Sequence, residues 1–250
     1  MVDVWIDIYT PKHLLFLLPV KELLEKEGYS VLVTTRKHPE LPRLFRLKGV
    51  DPIYIGKYGH NKEEKLRYSA ERILALLKKV WKKYYPKVVL SNPSPEAARV
   101  AFGVGIPHIM SYNSPHAFHI CALTVPLSKR LITSSIIGKS VWLRYGISED
   151  RIDLYDSLDE VAWLIRFRPN PSVLTELGLK ENDKFIVIRE IESSASYVQT
   201  EYGERFMLTT LIYPIVKEFA EGYKIVILPR YKYQRTYLKK RFGNEVIITE

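Results

Sequence analysis

The chain has 250 residues, 46% hydrophobic and 26% charged, which suits one large or two compact folded domains and excludes a disordered chain. Lys and Arg outnumber Asp and Glu by 38 to 28, a formal charge of +10, which nucleic acid, an anionic membrane surface or a phosphorylated small molecule would each meet, as would a plain solvated basic surface. A single cysteine, Cys121, excludes an internal disulfide framework, and the longest apolar stretch, Leu14 to Val20, falls far short of the roughly 20 residues of a membrane span.

Val2 to Tyr9 reads as a strand that carries Asp3 and Asp7 among apolar residues. Thr10-Pro11 then caps a helix running to Glu27 and stopping at Gly28. Ser30 to Thr35 is a second strand, the prolines at 39 and 42 admit only a short helix, and Ile53 to Ile55 supplies a third strand. Gly56-Lys57-Tyr58-Gly59-His60-Asn61 is a loop able to approach a phosphate, although it matches neither usual phosphate-binding fingerprint. The long helix Glu63 to Tyr84 is expected to pack through Leu66, Ile73, Leu77, Val80, Trp81 and Tyr84.

Val88 to Leu90 begins the most informative stretch, a short apolar strand that breaks into Ser91-Asn92-Pro93-Ser94-Pro95. Ser94 before Pro95 suits an N-cap followed by proline at the first helical position, with the helix expected to end at Gly103. Ile106 to Met110 is the next strand and opens into Ser111-Tyr112-Asn113-Ser114-Pro115-His116. A helix from His116 to about Leu127 and strands at Arg130 to Thr133 and Ile152 to Tyr155 follow. Alternating strands and helices make residues 1–155 a doubly wound parallel α/β domain, with 156–171 as the connection. The pattern then restarts over 172–250. A helix ends at Gly178, and strands are expected at Phe185 to Ile188, Ile225 to Leu228 and Val246 to Ile248. A polar loop from Glu190 to Gly203, a helix from Glu204 to Glu221 kinked at Pro214, and a helix from Tyr231 to Phe242 connect them. The second half therefore reads as a truncated Rossmann-like domain with an open sheet edge.

Ligands of such sheets sit beyond the carboxyl ends of the strands. His13, in the first turn of a helix after the first strand, suits binding a phosphate or moving a proton, with a capping or packing role as the alternative. Asn92, Ser94 and Asn113 lie in polar turns at neighbouring strand ends, where they would hydrogen-bond a sugar or nucleotide, or merely cap helices. His116 and His119, three apart, would share a metal only with a third ligand that the sequence does not offer, so no metal or cofactor is expected. Arg189 and Arg230 end two strands of the second half and suit a phosphate, against the alternative of surface ion pairs. Asp7 and Glu96 are the only well-placed carboxylates.

Ser94-Pro95-Glu96-Ala97-Ala98-Arg99-Val100-Ala101-Phe102-Gly103 followed by Gly105-Ile106-Pro107 resembles the largely archaeal proteins of domain of unknown function 354. So do Val4-Trp5-Ile6-Asp7 with His13, Tyr155 with Glu160 to Leu164, Arg189 with Ala195-Ser196-Tyr197, and Pro229-Arg230 with Gln234. The resemblance covers essentially the whole chain. It implies an α/β protein of two Rossmann-like domains in a GT-B-like arrangement, the second one truncated, related in fold to UDP-sugar 2-epimerases and glycosyltransferases. That family tends to carry His-Gly at Asn92-Pro93, and Asp and Glu at Asn113 and Pro115, while keeping His116. These departures predict a glycosyltransferase or epimerase homologue, weakened or inactive. In that reading His13 and His116 are the catalytic candidates, and Asn92, Ser94, Asn113, Arg189 and Arg230 bind a nucleotide-sugar or another phosphorylated small molecule. A non-catalytic assembly protein, pairing with a copy of itself or a partner chain through its open sheet edge, is the alternative.

The basic residues are scattered and no nucleic-acid module accompanies them, so a nucleic-acid partner is not expected. The amino terminus has no early basic residue of the kind a signal peptide carries, and a cytoplasmic location without a transmembrane segment is expected.

Overall fold

The computed structural model describes residues 1–59, 61–190 and 211–249. They form two compact units, Met1–Phe167 and Arg168–Glu250.

The first unit is built on β1 (Val4–Ile8), β2 (Val31–Thr35), β3 (Ile53–Tyr54), β4 (Val88–Ser91), β5 (His108–Ser111), β6 (Arg130–Ser134) and β7 (Ile152–Tyr155). All pairings are parallel, in the order β3-β2-β1-β4-β5-β6-β7. Every residue of β1 is buried, because helices cover both faces of a parallel sheet. Side chains alternate across the sheet. Val4, Ile6 and Ile8 accordingly pack with Leu14 and Leu17 of α1 (Pro11–Lys26) and with Leu41 and Phe45 of α2 (Leu41–Leu47). Trp5 packs on the other face with Leu76 of α3 (Lys62–Leu76), Val80, and Ala97, Val100 and Ala101 of the helix Pro95–Val104. Asp7 shares the parity of Trp5, which directs it to the face that α3 covers. A third cluster, with Met110, Cys121, Leu131, Trp142 and Ile152, fills the β5–β7 end.

Several expected boundaries shift for physical reasons. The helix after Pro95 runs through Gly103 and stops at Gly105, whose φ of 78° is the left-handed conformation that a helix end uses. The segment after His116 divides into an α-helix, Phe118–Thr124, and a 3-10 turn, Val125–Leu127, where Pro126 interrupts the helical ladder. The expected single helix from Glu63 to Tyr84 contains a π turn, Leu77–Trp81. Its buried stripe is Arg72, Leu76 and Val80, and Leu66 is exposed rather than packed. A short helix at Ser140–Leu143 was not anticipated. Residues 156–167 pack with the first unit: Lys12 pairs with the buried Asp159, and Arg166 with Glu22.

The second unit holds β8 (Phe185–Arg189), β9 (Lys224–Leu228) and β10 (Ile247–Ile248), parallel in the order β10-β9-β8. Its core joins Ile212, Val216, Ile225, Ile227, Leu238 and Phe242. Pro214 lies in the helix Tyr213–Phe219, which directly follows a π-helical pair at 211–212. The polar loop expected after Glu190 and the first part of the helix expected from Glu204 fall on 191–210, outside the described residues.

Candidate functional site

The strand order of the first sheet reverses between β1 and β4, and crevices at such switch points are where doubly wound folds bind ligands. The β1 and β4 loops therefore frame the candidate site, with the β2 and β5 loops beside them.

After β1, Thr10 has extended backbone and its hydroxyl accepts from the His13 amide at 3.4 Å, which starts α1. The His13 ring is buried, and its Nδ1 makes no hydrogen bond. Burial first, and then the positive charges of Lys12, Arg36 and His38, hold its pKa down to about 3, so the ring is neutral. After β4, Ser91 Oγ accepts from the Ser94 amide at 3.0 Å and meets His108 Nε2 at 2.8 Å. The other nitrogen of His108 meets Ser128 Oγ at 2.9 Å, and burial lowers the pKa of this ring to about 4. Ser94 in turn caps the next helix by accepting from Ala97 N at 3.3 Å. Asn92, between these two serines, is fully buried, and neither its amide nitrogen nor its amide oxygen has a hydrogen-bond partner. After β5, Ser111 Oγ is also buried and unpartnered, while Asn113 Oδ1 accepts from Ser114 Oγ at 3.0 Å.

Beneath this edge lies a buried charged network. Arg72 is 1% exposed and forks onto Asp7 at 2.9 and 2.7 Å. Its Nε donates to the Ile55 carbonyl at 2.8 Å, and Nη1 lies 3.5 Å from Glu96 Oε2. Thr34 Oγ1 donates to Asp7 at 2.5 Å and accepts from Trp5 Nε1 at 2.6 Å. Tyr9 Oη donates to Glu96 Oε1 at 2.9 Å. Burial pulls the Arg72 pKa down, but Asp7 and then Glu96 outweigh it, so the guanidinium stays charged. Arg36 stacks its guanidinium 3.5 Å from the centre of the Tyr9 ring and 5.0 Å from that of Tyr58. Beside it, at the ends of β2 and β3, an open hollow of ≈ 560 Å³ is lined by Lys37, His38, Pro42, Tyr54, Lys57 and Tyr58.

The sequence-predicted residues thus divide. His13 in the first turn of α1, and Asn92 and Ser94 after β4, are buried at one edge of the first sheet, and the half-buried Asn113 follows the neighbouring strand. His116 is exposed, as is His119, and among the described residues no three His, Cys, Asp or Glu side chains gather into a metal-binding group. Arg189 ends β8 in register with Leu228 of β9, and Arg230 follows two residues later, so both lie at one edge of the second sheet. Arg189 is exposed; the Arg230 amide donates to Gln234 Oε1 at 2.9 Å. In the 56–61 loop, Gly56 has φ +93° and its α-carbon abuts Arg72: a Cβ there would meet Arg72 Cδ at 2.8 Å. This glycine is required by packing. Sequence reasoning missed Tyr9, Arg36 and Arg72. The available signal was an Asp in an otherwise apolar buried strand, opposite a helix whose buried face carries one arginine.

The sequence matches, over residues 2–250, the family described as "Protein of unknown function (DUF354)". The chain belongs to that family. It is 29% identical over 238 residues to an uncharacterized protein of Methanocaldococcus jannaschii, covering 93% of this chain and 67% of that protein. Among solved structures, it is similar to the S. aureus protein MnaA bound to UDP, with a TM-score of 0.77 at 13% identity, covering 99% of this chain and 68% of that one. It is likewise similar to the UDP-N-acetylglucosamine 2-epimerase of Rickettsia bellii, with a TM-score of 0.75 at 16% identity over 100% of this chain and 69% of the other. For the UDP-GlcNAc 2-epimerase of M. jannaschii the score is 0.69 at 17% identity, over 99% and 73%. At these identities the likeness is one of fold: a parallel α/β chain of the GT-B-like epimerase architecture. No helix among the described residues is long and apolar enough to cross a membrane.

Proposed function

We propose that this DUF354 protein binds a nucleotide sugar at the carboxyl edge of its first sheet, as a homologue of UDP-sugar epimerases or glycosyltransferases. The observation that carries the reading is Asn92. A carboxamide with no exposed surface and no partner for either polar atom is costly unless a ligand engages it, and it sits at the switch point where this fold class binds ligands. A carboxamide both donates and accepts, which suits the hydroxyls of a sugar. His13, in the first turn of α1, and Ser111, the last residue of β5, each carry a buried unpartnered polar atom and extend the same donor and acceptor set. Ser94 and Asn113 border it and His116 lies beyond on the β5 loop, while Arg189 and Arg230, at one edge of the second sheet, suit a phosphate. The fold shared with three UDP-sugar-related proteins supports the ligand class.

Thermal-shift measurements on the chain with UDP, GDP, CMP and their sugar conjugates test the proposal. A ligand at about 100 times its Kd should add about 2.7 kcal/mol to stability. Asn92→Ala and Arg230→Ala should each reduce that shift. Unchanged shifts in both variants would overturn the assignment, as would the lack of a shift with every nucleotide tried.

A further inference from the structure

Arg36 differs from the other cations beside the β1 and β4 loops. Lys12 is paired with Asp159, and Arg72 with Asp7 and Glu96. The side chain of Arg36 makes no hydrogen bond and no ion pair among the described residues, and its buried Nε is unpartnered. Its ring contacts explain its position: Tyr9 holds one face of the guanidinium, and Tyr58 lies 5.0 Å from it. They leave the in-plane N–H donors unused, since stacking engages the face of the fork and hydrogen bonding its edge. Buried donors without partners are rare, and a charged one costs more than a neutral one.

Two neutral imidazoles lie beside it. His13, with its buried unpartnered Nδ1, and His38 lie close enough for the charge of Arg36 to lower both of their pKa values. Glu96 is the acid whose field reaches Arg36, but its two oxygens are already directed at Tyr9 Oη and Arg72. The amino end of the sixteen-residue α1 adds its partial positive charge beside His13.

We infer that Arg36, pre-stacked on Tyr9 and flanked by His13 and His38, is an oxyanion subsite that takes a phosphate monoester or carboxylate of a small ligand through the edge of its guanidinium. A planar fork matches either group bidentately, whereas a neutral sugar hydroxyl leaves most of its donors unused. The subsite shares His13 with the proposed nucleotide-sugar site but does not use Asn92, Arg189 or Arg230, so variants at Arg36 and at those residues test the two readings separately.

Calorimetric titration of the full chain with glucose 1-phosphate and with glucuronate, each against glucose, separates the two sources of the oxyanion. One of the acids should bind with 1:1 stoichiometry and glucose should not. Arg36→Gln should weaken that binding at least about tenfold. Arg36→Lys, which keeps the charge and loses the fork, should also weaken it and serves if the Gln variant does not fold. Arg230→Ala should leave it within about twofold, in contrast to its expected effect on UDP. If neither acid binds, or if a folded Arg36 variant binds as well as the natural chain, the subsite does not exist. Loss of UDP binding alone would overturn the nucleotide reading and leave this one in place.

Discussion

At the scale of single residues, the first unit is decided by charges placed out of water. Arg72 and Asp7 are 1% and 0% exposed and joined by two hydrogen bonds, a geometry that offsets desolvation only while both partners remain. Arg72→Met should therefore destabilise the protein by about 3–5 kcal/mol in urea denaturation, because it strands a buried carboxylate. Adding Asp7→Leu should restore part of that loss. A cost below about 1 kcal/mol for the single variant would show that the pair is idle. The buried histidines make a second prediction, about pH. His13 and His108 remain neutral in the fold down to about pH 3 and about pH 4, whereas in an unfolded chain they protonate near pH 6.5. Between those values the unfolded state holds more protons, so stability falls as pH drops from about 6.5 to about 4. The slope is about 1 kcal/mol per pH unit for each histidine. His108→Asn should remove one histidine's share of that slope whatever it does to stability at pH 7. An unchanged slope would show that His108 is not buried as a neutral ring.

At the scale of elements, most of the first unit was legible because its helices announce their ends chemically. Thr10-Pro11 and Ser94-Pro95 each place a capping hydroxyl before a proline at the first helical position, and both caps form. The legible part of the candidate site was its polar turns: Asn92, Ser94 and Asn113 follow apolar strands, as their sequence context predicts. What stayed hidden was the contact made over long sequence separations. Nothing near Arg72 announces Asp7, 65 positions away, and an arginine on a helix ordinarily reads as solvated. The misassigned stripe on α3 has the same origin. Of the expected stripe Val80 is buried and Ile73 packs against the core, but Leu66 is exposed, and the buried face instead carries Arg72, which the carboxylate on β1 holds. Gly56 turns that choice into a test. A side chain there meets both a φ of +93° and a pinned arginine at 2.8 Å, whereas Gly28, at φ +86°, has open space. Gly28→Ala should cost about 1 kcal/mol for backbone strain alone, and Gly56→Ala about 2 kcal/mol or more. Equal costs, read from urea midpoints, would mean that Arg72 yields freely and the network is not rigid.

At the scale of the whole molecule, the two units have separate hydrophobic cores, and the tryptophans report on only one of them. Trp5, Trp81, Trp142 and Trp163 all lie in Met1–Phe167, and the second unit has none. Indole emission therefore follows the first core, while far-ultraviolet dichroism follows helices and strands in both. Ile227 is fully buried at the centre of the second core, packed among Val216, Ile225, Leu238 and Phe242. Ile227→Ala leaves a cavity there and should destabilise that unit by about 2–5 kcal/mol. If the cores are energetically distinct, the dichroism transition should broaden and begin earlier in urea, while the tryptophan transition keeps its midpoint. Coincident movement of both probes would show that the second unit stabilises the first, and that the 250 residues unfold as one cooperative body. The same separation bears on ligand binding. With distinct cores, a nucleotide that engaged only the first sheet would raise the tryptophan midpoint alone. A ligand that engaged only Arg189 and Arg230 would raise the transition of the second unit alone, because a ligand stabilises only those units whose native state it binds.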